Sequence, residues 1–168
     1  MIEEILKRKS YRNFSDKEID DKIIFDIIEA GRLAPSCYNN QPWHYVLLKG
    51  KEKSIIDNYI NRGNSWAKNA YAYIVIVCNP NVDCNINGIN YSLFDCGLSV
   101  ENMLLEAFHN GLIAHSIAGF NSEGVKNALK IPENFLIPAI IILGYPNGNE
   151  ERVRERKSID EILHIGGW

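Results

Sequence analysis

The sequence predicts one domain in which helices alternate with strands that have no solvent face. Three observations carry this. Two apolar runs, 72–78 and 137–143, are bounded by Asn79-Pro80 and by Gly144-Tyr145-Pro146 and have the length of strands buried on both faces. Apolar residues recur at helical spacing over 19–30 (Ile19, Ile23, Ile24, Ile27, Ile28, Ala30) and again over 91–110. At 168 residues, with 46% hydrophobic and 23% charged residues, the chain can bury a core without metals or disulfides. No repeat or low-complexity linker divides it, so 1–168 is expected to be a single domain.

Taken in order, residues 2–8 read as a short helix whose basic end, Lys7-Arg8-Lys9, suits the negative pole of the helix dipole. Ser15 followed by Glu18 has capping-box spacing, which predicts a second helix from near Asp16 to Gly31. A short strand at 45–48, a modest helix at 54–60, a loop at 61–65, the strand 72–78 and an Asn- and Gly-rich loop at 81–90 follow. The longest helix, 91–110, ends at Gly111 and carries two adjacent stripes, Leu93, Gly97, Val100, Leu104, Ala107 and Phe94, Leu98, Leu105, Phe108. Such a helix is either the centre of a core or part of an extensive interface. A strand at 112–117, a tight turn at 118–120, a helix at 122–129 and the strand 137–143 complete the order. Residues 147–157 are charged, after which 158–165 regains apolar side chains, and a tail that turns apolar again is expected to pack on something.

Composition narrows the function. A net charge of −3 and a pI near 5.8 give no electrostatic footprint for nucleic acid. No apolar run approaches the length of a membrane span, and Met1-Ile2-Glu3-Glu4 is acidic where a secretion signal would be basic, so a cytoplasmic protein is expected. The cysteines at 37, 78, 84 and 96 have no C-x2-C spacing, and in a reducing compartment no disulfide is expected among them. Cys78 reads as core and Cys37 as the one cysteine within reach of a ligand. His44, His109, His115 and His164 lack paired-ligand spacing, so no metal site is expected. There is no P-loop, no G-x-G-x-x-G after a strand and no G-x-S-x-G elbow.

Two features remain. The first is the connection 34–45, Ala-Pro-Ser-Cys-Tyr-Asn-Asn-Gln-Pro-Trp-His-Tyr, where Pro35 and Pro42 stiffen a stretch of small polar and amide side chains. It reads as a small-molecule cradle, or as a Pro- and Asn-rich turn closed by a buried Trp43. The second is a set of basic groups: Arg8-Lys9-Ser10-Tyr11-Arg12, Lys68 and Arg154-Glu155-Arg156-Lys157. They form an anion site if the first and last converge; taken alone they are solvated surface charge before they are a site.

In order and spacing these residues resemble the FMN-dependent nitroreductase superfamily. The resemblance rests on 6–14 (Leu-Lys-Arg-Lys-Ser-Tyr-Arg-Asn-Phe), on Ala34-Pro35-Ser36 through Asn39, Gln41, Pro42, Trp43 and His44, and on Phe94-Asp95-Cys96-Gly97 with 102–107. The 111–120 strand and turn, Ile142-Leu143-Gly144-Tyr145-Pro146 and Arg156-Lys157 continue it. It implies an α+β fold, a mixed central sheet wrapped by helices, in an obligate homodimer whose C-terminal tail reaches across the interface and whose two sites are shared. It also implies FMN as cofactor, with NADH or NADPH as reductant, and leaves open a protein donor such as ferredoxin or flavodoxin.

By the same resemblance Arg8, Ser10, Arg154 and Arg156 would bind the FMN phosphate, with Lys9 and Lys157 in the same clusters. Arg12 and Lys68 would lie near the ring, and the backbone around Ile117, Ala118 and Gly119 near its N5 atom. Pro35, Ser36, Cys37, Asn39 and Gln41 would come from the partner subunit. Larger members often carry Glu where this chain has Ala118, and they place a helical insertion over the ring that is missing here. The implied activity is hydride transfer from NAD(P)H through FMN to an electron-poor small molecule such as a nitroaromatic or quinone. A flavin store or redox sensor with little turnover is the alternative, as are dehalogenation or flavin breakdown on the same scaffold.

Overall fold

In this computed structural model the described residues are 1–148 and 155–168. The helices are α1 (Glu3–Lys7), α2 (Asp21–Arg32), α3 (Ser92–His109) and α4 (Ser122–Leu129). The strands are β1 (Trp43–Lys49), β2 (Ala72–Cys78), β3 (Asn85–Ile86), β4 (Ile89–Asn90), β5 (Ile113–Ile117) and β6 (Leu136–Gly144). Four of them make the central sheet, in the order β1-β2-β6-β5, and β3 pairs with β4 in a separate hairpin. The fold is α+β as expected. Every pairing of the four central strands is antiparallel, so any mixed character of the sheet is not carried by them.

The sheet is the middle of three layers. All seven residues of β2 are buried, and they alternate between two cores. Ala72, Ile74, Ile76 and Cys78 face α2 and α3, together with Ile141 and Leu143 of β6 and Ala114 of β5. Tyr73, Val75 and Val77 face the other way, onto Ile56, Ile60 and Ala67 of the β1–β2 connection and Val125 of α4. The period of two along a strand thus supplies both hydrophobic layers from one apolar run, which is why that run shows no alternation with polar residues.

Three local expectations are corrected. Helix α2 starts at Asp21, capped by the Asp20 carboxylate, which accepts the Lys22 N–H at 2.8 Å. Residues 15–20 are not helical; the Ser15 N–H donates to the Tyr145 carbonyl at 2.9 Å, next to an isolated bridge between Phe14 and Pro146, which ties this stretch to the end of β6. Residues 54–60 are not an α-helix but 3₁₀ turns, Gly50–Ile55 and Asp57–Tyr59, which bury Ile56 and Ile60. The 81–90 segment is not all loop, since it contains the β3–β4 hairpin with Asn87 and Gly88 at positive φ.

Helix α3 buries a seam that shares Leu104 and Ala107 with the first apolar stripe and is otherwise different from it. Ser92, Asp95, Cys96, Ser99, Met103, Leu104 and Ala107 face inward, while Leu93 and Phe94 are exposed. Polar residues can occupy that seam because their partners are built in: Ser99 Oγ lies 2.6 Å from Tyr45 Oη, and Asp95 accepts a backbone N–H. Burial pushes the Tyr45 hydroxyl up, so it stays protonated. The α2–α3 contact is close at Gly31, where an added Cβ would sit 2.8 Å from Met103 Cγ and 3.1 Å from Ser99 Oγ.

The tail, 155–168, forms one 3₁₀ turn (Ile159–Glu161) and leaves Ile159, Ile162, Leu163, Ile165 and Trp168 exposed. Among the described residues no helix is long and apolar enough to cross a membrane.

Gly31→Val is expected to lower unfolding stability by about 1–3 kcal/mol, as overpacking of a tight helix contact does. Urea denaturation against the wild type measures it, and an unchanged midpoint would mean that the two helices separate freely at this point.

Candidate functional site

The expected site residues fall on opposite edges of the central sheet. On the β5 edge, the segment after α1 runs past the strand, and the Tyr11 carbonyl lies 2.8 Å from His115 Nδ1. Arg12 reaches over the indole of Trp66, with Cζ 5.6 Å from the ring centroid, and Trp66 in turn meets His115 at 4.6 Å and Phe14 at 6.1 Å between centroids. Trp66 Nε1 is buried and has no hydrogen-bond partner among the described residues. An unmet donor of this kind costs about 1–3 kcal/mol, so this wall presents a polar group in want of a ligand.

Arg8 caps the C-terminus of α1, donates to Ser10 Oγ at 3.4 Å and lies 3.9 Å from Glu101 of α3. The two groups expected to meet a phosphate are therefore adjacent, with Lys9 exposed beside them. Ile117 is buried at the end of β5, and the turn beyond it, Ala118-Gly119, is fixed from outside. The Gly119 carbonyl accepts the Asn61 N–H at 3.0 Å and Asn64 Nδ2 at 3.2 Å. A Cβ on residue 119 would fall 2.5 Å from that Asn64 nitrogen, so only glycine allows the approach. Lys68 is exposed in the last turn of the 3₁₀ segment Arg62–Asn69 and lines an open polar cavity of about 650 Å³ with Asn13, Lys53, Asn69, Tyr71 and Asn147. In that cavity the Lys53 ammonium donates to the Lys68 carbonyl at 3.0 Å and to the Ala70 carbonyl, and burial draws its pKa down.

On the β1 edge lies the loop 34–42. Tyr38 (φ 49°), Asn39 (φ 60°) and Gln41 (φ 48°) all adopt left-handed backbone, at about 1–2 kcal/mol each for ordinary side chains. Local bonds hold the conformation. Ser36 Oγ accepts the Gln41 N–H at 3.0 Å, the Asn39 carbonyl accepts Gln41 Nε2 at 3.0 Å, and Pro35 stands exposed before them. The loop is anchored to α3 by the Cys37 N–H, which donates to Asp95 Oδ2 at 2.7 Å. Asp95 is only 2% exposed, and burial, reinforced by the charge of nearby Asp83, raises its carboxyl pKa above the ordinary 3.8.

Cys37 is also joined to Cys84 in a disulfide, with Cα atoms 6.2 Å apart, which corrects the expectation of four free thiols. Spacing could not foretell it, because the pair lies 47 positions apart with two strands between. Cys78 and Cys96 remain free and buried, and contact with Cys78 together with burial pushes the Cys96 thiol up, so that it keeps its proton.

The two edges are three strand spacings apart, about 14 Å, with β2 and β6 between them. Within the chain the two groups of expected site residues thus lie at different edges of the sheet. Arg156 and Lys157 are exposed in the tail, and Arg154 lies outside the described residues.

The model of the nitroreductase family matches residues 5–65 and 56–145, a span that includes both edges. This chain belongs to the nitroreductase family. Similar proteins include one from Archaeoglobus fulgidus, provisionally named an NADH dehydrogenase/NAD(P)H nitroreductase, 31% identical over 89% of this chain and 90% of its own. An NADPH-flavin oxidoreductase of Vibrio harveyi is 27% identical over 97% of this chain and 72% of its own. The crystal structure of a nitroreductase family protein from Clostridium novyi NT superposes with a TM-score of 0.81, at 32% identity, over 99% of this chain and 93% of that one.

Within this nitroreductase-family chain, the residues that sequence reasoning missed are those that hold others in place. Asn61 and Asn64 carried a signal, two amides three apart in a Gly-containing loop, but were read as loop chemistry alone. Trp66 and His115 act through contacts distant in sequence and had no local signature, and Asp95 stood only as part of the Phe94-Asp95-Cys96-Gly97 motif.

The raised Asp95 carboxyl gives stability a pH dependence. The unfolded chain loses this proton near 3.8 while the folded chain still holds it, so stability falls as pH rises above 3.8 until Asp95 ionises in the folded state. Asp95→Asn, which still accepts from Cys37, is expected to flatten that part of the profile. Urea midpoints of both proteins across pH 3.5–7 measure it, and parallel profiles would remove Asp95 as the source.

Proposed function

We propose that residues 1–168 form a single FMN-binding unit that works as a homodimer and oxidises NADH or NADPH to reduce an electron-poor small molecule such as a nitroaromatic or quinone. The observation that carries this reading is the family match over 5–145, which spans Arg8 to Arg12, the loop 34–42 and the turn at 118–119 together. The names of the relatives from A. fulgidus and V. harveyi support the nicotinamide donor and the flavin.

The residues present fit FMN. A phosphate needs a guanidinium and a hydroxyl side by side, as Arg8 and Ser10 are, with Lys9 near and Arg154, Arg156 and Lys157 brought by the tail. A flat ring needs an apolar, aromatic wall with a few fixed donors, and the Trp66 and His115 cluster under Arg12, with its unmet indole N–H, is such a wall. When bound, FMN supplies the hydride chemistry, taking hydride from the nicotinamide at N5 and passing it to the acceptor.

The protein's own residues bind and orient. Ile117, Ala118 and Gly119 would present backbone groups toward N5, held by Asn61 and Asn64. Arg12 would set a positive charge by the ring edge, and Lys68 would add a second. Pro35, Ser36, Cys37, Asn39 and Gln41 would reach the ring from the other chain, a reading supported by their place at the sheet edge opposite β5. The uncovered Ile159, Ile162, Leu163, Ile165 and Trp168 of the tail, with Leu93 and Phe94 of α3, support a large apolar contact between two copies.

Purified protein is expected to be yellow or to take up FMN, and to oxidise NADH or NADPH with menadione or nitrofurazone. A colourless protein that fails to take up FMN overturns the reading, and a yellow one without turnover makes it a flavin store. Asn39→Ala, which disfavours the left-handed backbone, should weaken FMN binding about tenfold, or about 1.4 kcal/mol, with the core intact by circular dichroism. Arg12→Ala should lower the flavin midpoint potential by about 30 mV for each 1.4 kcal/mol of lost charge stabilisation. Dye-coupled titration measures it, and an unchanged potential removes Arg12 from that role.

A further inference from the structure

We propose that Cys37 and Cys84 are a redox-active pair that accepts two electrons from an external dithiol and thereby unclamps the strained loop 36–41. In the exchange, a thiolate of the reductant attacks one sulfur and forms a mixed disulfide while the other cysteine sulfur leaves. The reductant's second thiol then displaces the first sulfur, so the reductant ends as a disulfide and Cys37 and Cys84 end as two thiols, each having gained a proton.

Four observations carry this. First, both cysteines of the pair are partly exposed, whereas the other two are buried and free, so reagent reaches this pair alone. Second, the pair does not hold the core: it ties a loop to the exposed β3–β4 hairpin, in which every strand residue faces solvent. Third, what it does hold is under strain, since three of the four residues after Cys37 that precede Pro42 are non-glycine and left-handed. The remaining ties of this stretch to the rest of the chain are few, chiefly the Cys37 N–H on Asp95 and a 3.4 Å contact of Asn40 Nδ2 with Asp83.

Fourth, carboxyl groups stand beside the pair. Asp83 Oδ1 lies 3.6 Å from Cys84 Sγ and accepts its N–H at 2.8 Å, while Asp83 Oδ2 is buried without a hydrogen-bond partner among the described residues. Asp95, on the Cys37 side, interacts with Asp83 and holds its proton beyond the ordinary carboxyl range. A carboxyl that keeps its proton beside the pair, as Asp95 does, can supply one to the sulfur that leaves.

The consequence for the cofactor rests on the proposed function, in which this loop lines the flavin of the partner chain. Opening the disulfide would then loosen FMN in that site, and the pair would couple the thiol poise of its surroundings to cofactor retention.

The test uses the full chain, with and without FMN, poised in oxidised and reduced dithiothreitol. Alkylation and mass spectrometry without denaturant count the thiols, and hydrogen exchange reads residues 36–41. Reduction is expected to make Cys37 and Cys84 reactive and to speed exchange in 36–41 at least tenfold, with 72–78 unchanged. Cys84→Ser should show the fast exchange in either buffer. The proposal is overturned if Cys37 and Cys84 react fully in air-oxidised protein, if they become reducible only in denaturant, or if exchange in 36–41 ignores the buffer. These readouts need no flavin. An FMN dissociation constant that rises at least tenfold on reduction supports the coupling; one that stays fixed while the loop loosens overturns the placement of the loop on the flavin and leaves the redox pair standing.

Discussion

Everything in this molecule depends on a sheet that is covered on both faces. Because β2 is buried from end to end, its even-numbered side chains belong to the α2–α3 layer and its odd-numbered ones to the layer of 3₁₀ turns and α4. A slip of one residue would exchange Tyr73, whose hydroxyl donates to Asp57 at 2.8 Å, with Ala72 or Ile74 and leave a phenol in an aliphatic layer. Register is thus fixed by side-chain size and polarity on both faces. With the faces covered, Arg8 to Arg12 and the loop 34–42 are carried at the two edges of the sheet.

The edges are built by different means. On the β5 side, packing does the work: Trp66, His115, Phe14 and the two asparagines on Gly119 are drawn from three separate stretches of chain and meet only in the fold. On the β1 side, a short stretch holds itself in an unfavourable backbone conformation through its own amides and hydroxyl, and through covalent attachment to the hairpin. Strain concentrated in one loop on a rigid scaffold is a common way to present polar groups in a fixed direction.

Much of this was legible in the chain. The runs 72–78 and 137–143 marked β2 and β6 because a doubly buried strand leaves an apolar run of strand length, and α4 and β5 were found nearly to the residue. The start of α2 was misread because Ser15-Asp-Lys-Glu has the spacing of a cap, yet its N–H is claimed by Tyr145, 130 positions on. The seam of α3 was read correctly only at Leu104 and Ala107, because Ser92, Asp95 and Ser99 look solvent-facing until Cys37 and Tyr45 are placed opposite Asp95 and Ser99. The disulfide was missed for the same reason: pairing is decided by the fold that brings a hairpin to a loop. For the candidate site, the residue types around Arg8 and in 34–42 were readable and the resemblance set the two groups apart, whereas the packing of Trp66, His115, Asn61 and Asn64 around the first of them was not readable.

The division of the site between edges has a genetic consequence. In the proposed pairing of two chains, each site takes one edge from each. A chain damaged only in Arg8 and a chain damaged only in the loop 34–42, mixed in one dimer, would give one site with both defects and one with neither. Two inactive alleles would then restore each other, whereas two alleles damaged on the same edge would not, and the pattern of complementation would map the sheet's edges without any structure.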